Sequence, residues 1–240
     1  MKMQTAVDAI YPPDCISCGA AVETGFGLCA TCWADTPFIT GAACDACGTP
    51  LPGTDPEESL RCDDCMTIAR PWSRGRAVMV YAGNGRRLVL ALKHGDRADV
   101  ARAAGPWLAR AAAPLITEDT VIVPVPLHWW RLFRRRFNQS ALLAQALANQ
   151  TQGFFAPDAL KRVRATGSQD GRDREARFAN IRDAIQPNPR RAHILAGRNV
   201  LLVDDVMTSG ATFAAATQAA FDAGAENVDV IALARVAKDA

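Results

Sequence analysis

The stretch Val200–Thr212, "VLLVDDVMTSGAT", determines how we interpret the fold of this chain. Four apolar residues lead directly into Asp204 and Asp205, and a continuous apolar run of this kind is typical of a strand buried on both faces of a parallel sheet. Small and hydroxyl-bearing residues follow, and then "ATFAAATQAAFDAG", which predicts a helix with Gly224 as its C-cap. Strand, loop and helix in this order predict an α/β domain whose ligand binds beyond the carboxyl ends of the strands.

The segments before and after this stretch alternate in the same way. We predict strands at Ala77–Tyr81, Thr120–Leu127, 198–205 and 227–236. A Gly-Asn-Gly turn ends the first strand, and the helices are "RRLVLALKHGD", stopped by Gly95, "ADVARAAGPWLARAAA", disturbed at Gly105-Pro106, and "NQSALLAQALANQ", with Asn138 or Ser140 near its N-cap. Residues 161–182 form a polar, arginine-rich connection between these elements.

The N-terminal part of the chain contains all of its cysteines, arranged as four CxxC pairs. Two such pairs supply the four thiolates of a tetrahedral zinc site. Pairing them in sequence order gives one site from Cys15, Cys18, Cys29 and Cys32 and a second from Cys44, Cys47, Cys62 and Cys65. Because cysteine would supply every ligand, no coordination position stays open for catalysis, and we predict that both zinc ions are structural.

The cysteine pattern leaves alternatives open. A cross-braced arrangement, in which alternate pairs share one metal, uses the same residues. A disulfide scaffold or a redox CxxC is a weaker explanation of four pairs at ribbon spacing. We expect the cysteine-rich domain to occupy residues 1–70 and the α/β domain to occupy residues 71–240.

Composition limits the classes of function. The formal net charge is +2, so nucleic-acid binding would require a local basic patch rather than a generally basic surface. The sequence lacks a run of 18 apolar residues, and its first residues lack the apolar core of a signal peptide. We therefore expect no membrane insertion and a cytoplasmic location, where thiols stay reduced.

The segment "VMTSGAT" predicts an anion site next to the two carboxylates. Backbone N–H groups at a helix N-terminus, together with the hydroxyls of Thr208, Ser209 and Thr212, can surround a phosphate, and Gly210 lets the backbone approach it. Carboxylates instead bind sugar hydroxyls or a divalent cation, so a sugar phosphate suits both halves. GxxxxGK[ST] and GxGxxG are absent, which argues against a P-loop and a dinucleotide site.

"VLLVDDVMTSGAT" resembles the phosphoribosyl-pyrophosphate (PRPP) motif of type I phosphoribosyltransferases. The whole chain resembles the ComF family, also called GntX-like, in which a double zinc ribbon precedes a phosphoribosyltransferase domain. Besides the four CxxC pairs, the resemblance rests on "LALKHGDRADVA", "VPVPLHWWRLFRRRFNQS" and "SQDGRDREARFANIRDAI". This family is linked to natural transformation, and thus to DNA uptake.

The resemblance implies roles for individual residues. Asp204 and Asp205 are the candidate catalytic residues, which would hold the ribose hydroxyls and help to position Mg²⁺. The 5-phosphate would bind to Thr208, Ser209, Gly210, Ala211 and Thr212. Several purine transferases of this fold carry an acid at the position of Thr208, so its absence here argues against purine salvage. "RVRATGSQDGRDREARFAN" is the candidate flexible loop over the site.

Two basic features have competing explanations. Lys93 and Arg131 are candidate pyrophosphate contacts, or else solvated surface charges. Arginine and aromatic residues alternate in "HWWRLFRRRFNQS", a composition that suits a pyrophosphate site with packed aromatics and also suits single-stranded DNA. We favour the first explanation.

Three hypotheses for the function follow. The first is a Mg²⁺- and PRPP-dependent phosphoribosyl (glycosyl) transferase that releases pyrophosphate, with an acceptor that the sequence does not identify. The second is a protein of this fold that binds PRPP without turnover. The third is an adaptor that binds single-stranded DNA or a helicase partner during DNA uptake.

Overall fold

The computed structural model describes residues 13–23, 27–53, 60–94, 97–128, 137–164 and 183–237. Its helices are α1 (Ala30–Ala34), α2 (Asp63–Thr67), α3 (Gly83–His94), α4 (Ala98–Ala112), α5 (Gln139–Thr151) and α6 (Ala211–Asp222), with 3-10 turns at Ala113–Leu115 and Ala192–Leu195. Its strands are β1 (Gly75–Val80), β2 (Val121–Pro124), β3 (Phe154–Phe155), β4 (Leu160–Arg162), β5 (Ile185–Pro187), β6 (Asn199–Met207) and β7 (Asn227–Arg235).

A parallel sheet organises the described part of the chain, with its strands in the order β1-β7-β6-β2-β3. The central strand β6 pairs with β7 from Asn199 to Met207, and with β2 only as far as Val203. Strands β4 and β5 form a separate antiparallel pair. The predicted parallel α/β sheet is thus confirmed.

The two faces of the sheet are covered by different elements. On one face, α3, α4 and α5 bury apolar residues such as Leu92, Leu108 and Leu143. On the other face, α6 packs beside the second group of cysteines and Trp72. Since alternate residues of β6 point to opposite faces, Leu201 faces the first layer and Leu202 faces the second. The second cysteine group is therefore part of the core of the α/β sheet.

Each cysteine group starts with a tight turn at its first CxxC pair. Gly19 and Gly48 follow these pairs with φ of +76° and +69°, and their N–H groups donate to the carbonyls of Cys15 and Cys44. A Cβ at Gly48 would lie 2.5 Å from the backbone nitrogen of Ala77 in β1. Glycine is therefore needed at position 48 both for the turn and for the close approach to the sheet.

Two local predictions were wrong. The Gly-Asn-Gly segment is the first turn of α3, because Asn84 is buried and donates to the carbonyl of Cys32 and the hydroxyl of Thr36. Helix α4 continues through Gly105 and Pro106. A Cβ at Gly105 would lie 3.1 Å from the carbonyl oxygen of Ala146, so tight packing of α5 against α4 favours the continuous helix despite the proline.

Strand lengths also differ from the predictions. Strand β2 is shorter than the predicted Thr120–Leu127, and the short strands β3, β4 and β5 were not predicted. Strand β6 extends two residues beyond Asp205. In the described ranges, no helix combines the length and apolarity that crossing a membrane would require. The domain boundary between residues 70 and 71 stays a prediction.

Candidate functional site

The two aspartates lie where β6 extends past its neighbour. Strand β2 ends at Pro124, opposite Val203, whereas β6 continues to Met207 beside β7. Asp204 and Asp205 are therefore paired with a strand on one side only, at the carboxyl edge of the sheet. This is the edge at which parallel α/β sheets bind their ligands.

The two carboxylates have different partners. Ser140, in the first turn of α5, donates from its hydroxyl to Asp204 Oδ1 at 2.7 Å, and the backbone N–H of Asp205 donates to the same oxygen at 2.9 Å. Lys93 Nζ lies 3.3 Å from Asp205 Oδ1. Among the described residues, Lys93 is the cation that pairs with these carboxylates. It balances one of the two adjacent negative charges, so the other carboxylate can bind a further cation.

Burial in the first place, and the charge of Asp205 in the second, raise the pKa of Asp204 from 3.8 to about 7. The hydroxyl of Ser140 and the charge of Lys93 act in the opposite sense. Crowded oxygen donors with an incompletely balanced charge are the ligand type that Mg²⁺ prefers. The chemistry of this donor set therefore fits Mg²⁺.

The segment after β6 leaves a helix N-terminus open. Gly210 is the N-cap residue of α6, and no side chain in the described part of the protein caps this helix. The first N–H groups of a helix lack intrahelical partners, and here the hydroxyl of Ser209 accepts only a long contact of 3.4 Å from the N–H of Ala211. Thr208 is exposed and Thr212 is half-buried. The free amides and these hydroxyls suit an anion.

Packing explains why glycine stands at position 210, which the sequence did not reveal. Its φ is +83°, and a Cβ there would lie 2.8 Å from the Trp72 ring and 3.1 Å from Arg70 Nη1. The glycine therefore permits a left-handed backbone conformation and close contact with the cysteine-rich region. We expected it to clear space for the phosphate, but the direction of the Cβ points to packing against Trp72.

The cysteine sulfurs form two clusters in sequence order, Cys15, Cys18, Cys29 and Cys32 in the first and Cys44, Cys47, Cys62 and Cys65 in the second. Within each cluster the sulfurs lie within 4.8 Å of one another, and Cys18–Cys29 and Cys47–Cys62 are each 3.7 Å apart. Tetrahedral zinc with Zn–S bonds of about 2.3 Å requires sulfurs about 3.8 Å apart. The donors in both clusters therefore fit zinc, and the grouping is sequential rather than cross-braced.

The pKa of Cys47 is lowered to about 3, chiefly by a hydrogen bond from Cys44, with further lowering from Thr49 and the charge of Arg235. The same hydrogen bond, together with burial, raises the pKa of Cys44. This pair therefore favours a thiolate on Cys47, and the thiolate is the form that binds metal.

Comparison with known proteins agrees with this organisation. A double zinc ribbon domain model matches residues 6–66, and a phosphoribosyl transferase domain model matches residues 138–240. DNA utilization protein YhgH of Shigella flexneri is 33% identical over 231 residues, which cover 93% of this chain and 97% of that protein. Competence protein F of Haemophilus influenzae is 34% identical over 114 residues, 48% of this chain and 49% of that protein. The chain belongs to the ComF family.

Solved structures give a more distant match to this ComF-family chain. Glutamine PRPP amidotransferase from B. subtilis, complexed with ADP and GMP, matches with a TM-score of 0.40 and 20% identity, over 60% of this chain and 30% of that one.

The structure brings several of the predicted site residues of this ComF-family chain to one edge. Asp204, Asp205 and Lys93 lie together there, and the segment 208–212 begins three positions after the second aspartate. Arg131 and most of its arginine- and aromatic-rich stretch, residues 129–136, lie outside the described residues, as do residues 165–180 of the predicted loop over the site.

Four residues near the site escaped the sequence analysis. Ser140 was considered only as a helix cap, but Asn138 takes that role by accepting from the N–H of Ser140. Trp72 and Arg70 are far away in sequence, and no local pattern connects them with the loop. Arg235 did carry a signal, because this charged residue directly follows the apolar run 230–234 of strand β7, and it is 5% exposed.

Proposed function

We propose that this ComF-family protein binds PRPP with Mg²⁺ and transfers its phosphoribosyl group, with release of pyrophosphate. The observation that carries the proposal is the pair of carboxylates Asp204 and Asp205 near the end of β6, with Asp205 five residues before Gly210, the N-cap residue of α6, which no described side chain caps. Carboxylates suit ribose hydroxyls and a divalent cation, whereas free amides suit a phosphate. PRPP combines these groups in one small molecule.

Each part of the site has a chemical task in this proposal. Residues 208–212 bind the 5-phosphate, and Asp204 and Asp205 hold the ribose hydroxyls and the metal. Lys93, and Arg131 outside the described residues, contact the pyrophosphate. When Mg²⁺ is bound, it neutralises charge on the departing pyrophosphate. The carboxylates stabilise the positive charge that develops on the ribose as the anomeric C–O bond breaks.

The cysteine clusters have a structural task in this proposal. Each would hold one zinc ion through four thiolates, which leaves no coordination position for substrate. We also propose the cytoplasm as the location, where these thiols stay available to metal rather than forming disulfides.

Calorimetric titration with PRPP and Mg²⁺ tests binding, and a pyrophosphate-release screen over candidate nitrogen acceptors tests turnover. The double variant Asp204→Asn with Asp205→Asn should lose PRPP binding, because amides supply neither the charge for the metal nor equally strong acceptors for hydroxyls. Unchanged PRPP affinity in the folded double variant would refute the assignment of the carboxylates. If the protein binds PRPP but releases pyrophosphate with none of the acceptors, it is a PRPP-binding protein rather than a transferase.

A second candidate function is that of an adaptor in DNA uptake. The names of two relatives, DNA utilization protein YhgH and Competence protein F, favour it. The alternation of arginine and aromatic residues around Arg134, Arg135 and Arg136 favours it as well. If that stretch binds single-stranded DNA, changing the three arginines to alanine should weaken binding and reduce its salt dependence. PRPP affinity should then stay nearly unchanged. A variant that loses PRPP affinity but keeps DNA binding would place the stretch at the pyrophosphate instead.

A further inference from the structure

Two arginines connect the second cysteine cluster with the proposed phosphate loop, residues 208–212. Arg70 donates from Nε to Cys65 Sγ at 3.3 Å and from Nη1 to the carbonyl of Ser209 at 2.7 Å. Arg235 donates from Nη2 to Cys47 Sγ at 3.8 Å and from Nη1 to the carbonyl of Thr208 at 2.8 Å. Each guanidinium therefore touches a metal-ligand sulfur and a loop carbonyl at the same time.

Charge explains why these arginines can lie there. Arg235 is buried, and among the described residues no carboxylate forms an ion pair with it or with Arg70. A buried cation is costly unless an anion lies nearby. Four thiolates around one Zn²⁺ carry a net charge of −2, and two guanidiniums balance that charge. The residues present thus fit a zinc-loaded second cluster, which makes the arginine positions electrostatically favourable.

An aromatic contact adds a second link between the same two regions. The indole N–H of Trp72 donates to the carbonyl of Ala46, inside the first CxxC pair of the second cluster, at 2.6 Å. The guanidinium of Arg70 lies 5.5 Å from the centre of the Trp72 ring. Gly210 packs against the outer edge of that ring. The indole therefore supports the loop from the side of the cluster.

The first cluster has different surroundings. Its neighbours Ser17 and Thr36, together with the carbonyl of Cys32, bond with Asn84 at the start of α3. Arg97 donates to the carbonyl of Ile16, next to a ligand of the first cluster. Among the described residues, the bonds of this group lead to α3 and α4 rather than to residues 208–212.

We propose that the second cluster positions the phosphate loop through Arg70 and Arg235, so that zinc occupancy there and binding of a phosphate ligand reinforce each other. This inference rests on the proposed function for its ligand. The arginines are positioning residues, because they bond to the carbonyls of the loop and orient its amides toward the anion. Coupling between two sites is reciprocal. Bound ligand must therefore raise the affinity of the second cluster for zinc by the same factor by which zinc raises the affinity for the ligand.

The test compares Arg70→Gln with Arg97→Gln in the full, zinc-loaded chain. Arg70 is suitable because it is only half-buried, and Arg97 is the matched control because it bonds beside the other cluster. A chelator is added with a thiol-alkylating reagent, and mass spectrometry follows the cysteine peptides of each cluster. In the unchanged chain, PRPP with Mg²⁺ should slow alkylation of Cys44–Cys65 but not of Cys15–Cys32.

Arg70→Gln should weaken this protection, because only the link through Arg235 remains. It should lower the affinity for PRPP with Mg²⁺ by about tenfold, the size of the loss in metal affinity or activity when a residue that supports a metal ligand is removed. Arg97→Gln should keep both. A merely structural role of Arg70 would speed zinc loss equally with and without the ligand. Ligand protection that is undiminished in Arg70→Gln, or that is equal for both clusters, would overturn the inference.

A measurement without ligand separates this inference from the proposed function. Hydrogen exchange of the backbone amides of residues 208–212 should accelerate in Arg70→Gln, and also when the second cluster is stripped of metal. If the unchanged chain binds no PRPP, the proposed function fails, but faster exchange would still support the positioning role. Unchanged exchange in both samples would overturn the inference even if PRPP binds.

Discussion

Replacing Asp204 by asparagine should stabilise the protein more at alkaline than at acidic pH. In the folded chain, burial first and the charge of Asp205 second raise the pKa of this carboxyl to about 7, from an ordinary value of 3.8. The folded state therefore holds the proton more tightly than the unfolded state. The carboxyl costs nothing below pH 3.8 but increasingly opposes folding as pH rises toward 7.

The magnitude follows from the two pKa values. One pKa unit corresponds to about 1.4 kcal/mol, so ionised Asp204 lowers the free energy of unfolding by roughly 4 kcal/mol at about pH 8.5 and by roughly 2 kcal/mol at about pH 5.5. Asparagine does not titrate, and its Oδ1 can still accept from Ser140 and from the N–H of residue 205. The advantage of Asp204→Asn should therefore grow by about 2 kcal/mol between these two pH values.

Urea unfolding of both proteins at the two pH values measures this difference, because titrating groups that do not interact with Asp204 cancel in the comparison. Buffers without Mg²⁺ keep the carboxylates free of added cation, and zinc content measured at each pH shows that both clusters stay loaded. A stability difference that stays constant with pH would refute the argument that burial in the folded state raises this pKa.

Three further predictions concern other parts of the molecule. Metal analysis of intact, reduced protein should find two zinc ions per chain. The variant Cys29→Ser should contain one zinc ion fewer, and its first ribbon should unfold, because metal binding stabilises such modules. One zinc ion or fewer in the unchanged protein would contradict this prediction. Gly210→Val should abolish PRPP binding in calorimetry, whereas the circular dichroism spectrum should stay largely unchanged. A branched side chain does not fit there, because φ is +83° and the Cβ would lie 2.8 Å from Trp72. Unchanged affinity for PRPP would mean that the phosphate binds elsewhere. PRPP affinity should rise with pH as Asp204 ionises, and Ser140→Ala should shift this rise to higher pH, because the variant lacks the hydroxyl that favours ionised Asp204. An unshifted pH profile of the affinity would show that this hydrogen bond does not influence binding.

Features encoded by nearby residues could be predicted from the sequence. The four CxxC pairs, the apolar run of β6 and the helix after it each depend on local spacing, and the structure contains all three. The start of α3 could not be predicted, because burial of Asn84 depends on acceptors from the first ribbon. Arg70 and Ser209 are 139 residues apart in sequence, and Arg235 and Cys47 are 188 residues apart. A local sequence pattern cannot predict contacts between residues so far apart in the chain.

The strand order has a consequence for how the protein is made. Strand β1, which follows directly after the second ribbon, pairs with β7, the last strand of the described chain. On the ribosome, both ribbons can fold locally and take up metal early, but β1 has no partner strand until the chain has been synthesised through Arg235. Contacts between residues so distant in sequence form late. A nonsense mutation just before β7 would therefore yield chains with metal-loaded ribbons but an unfinished sheet, which exposes the edge of β6 to aggregation.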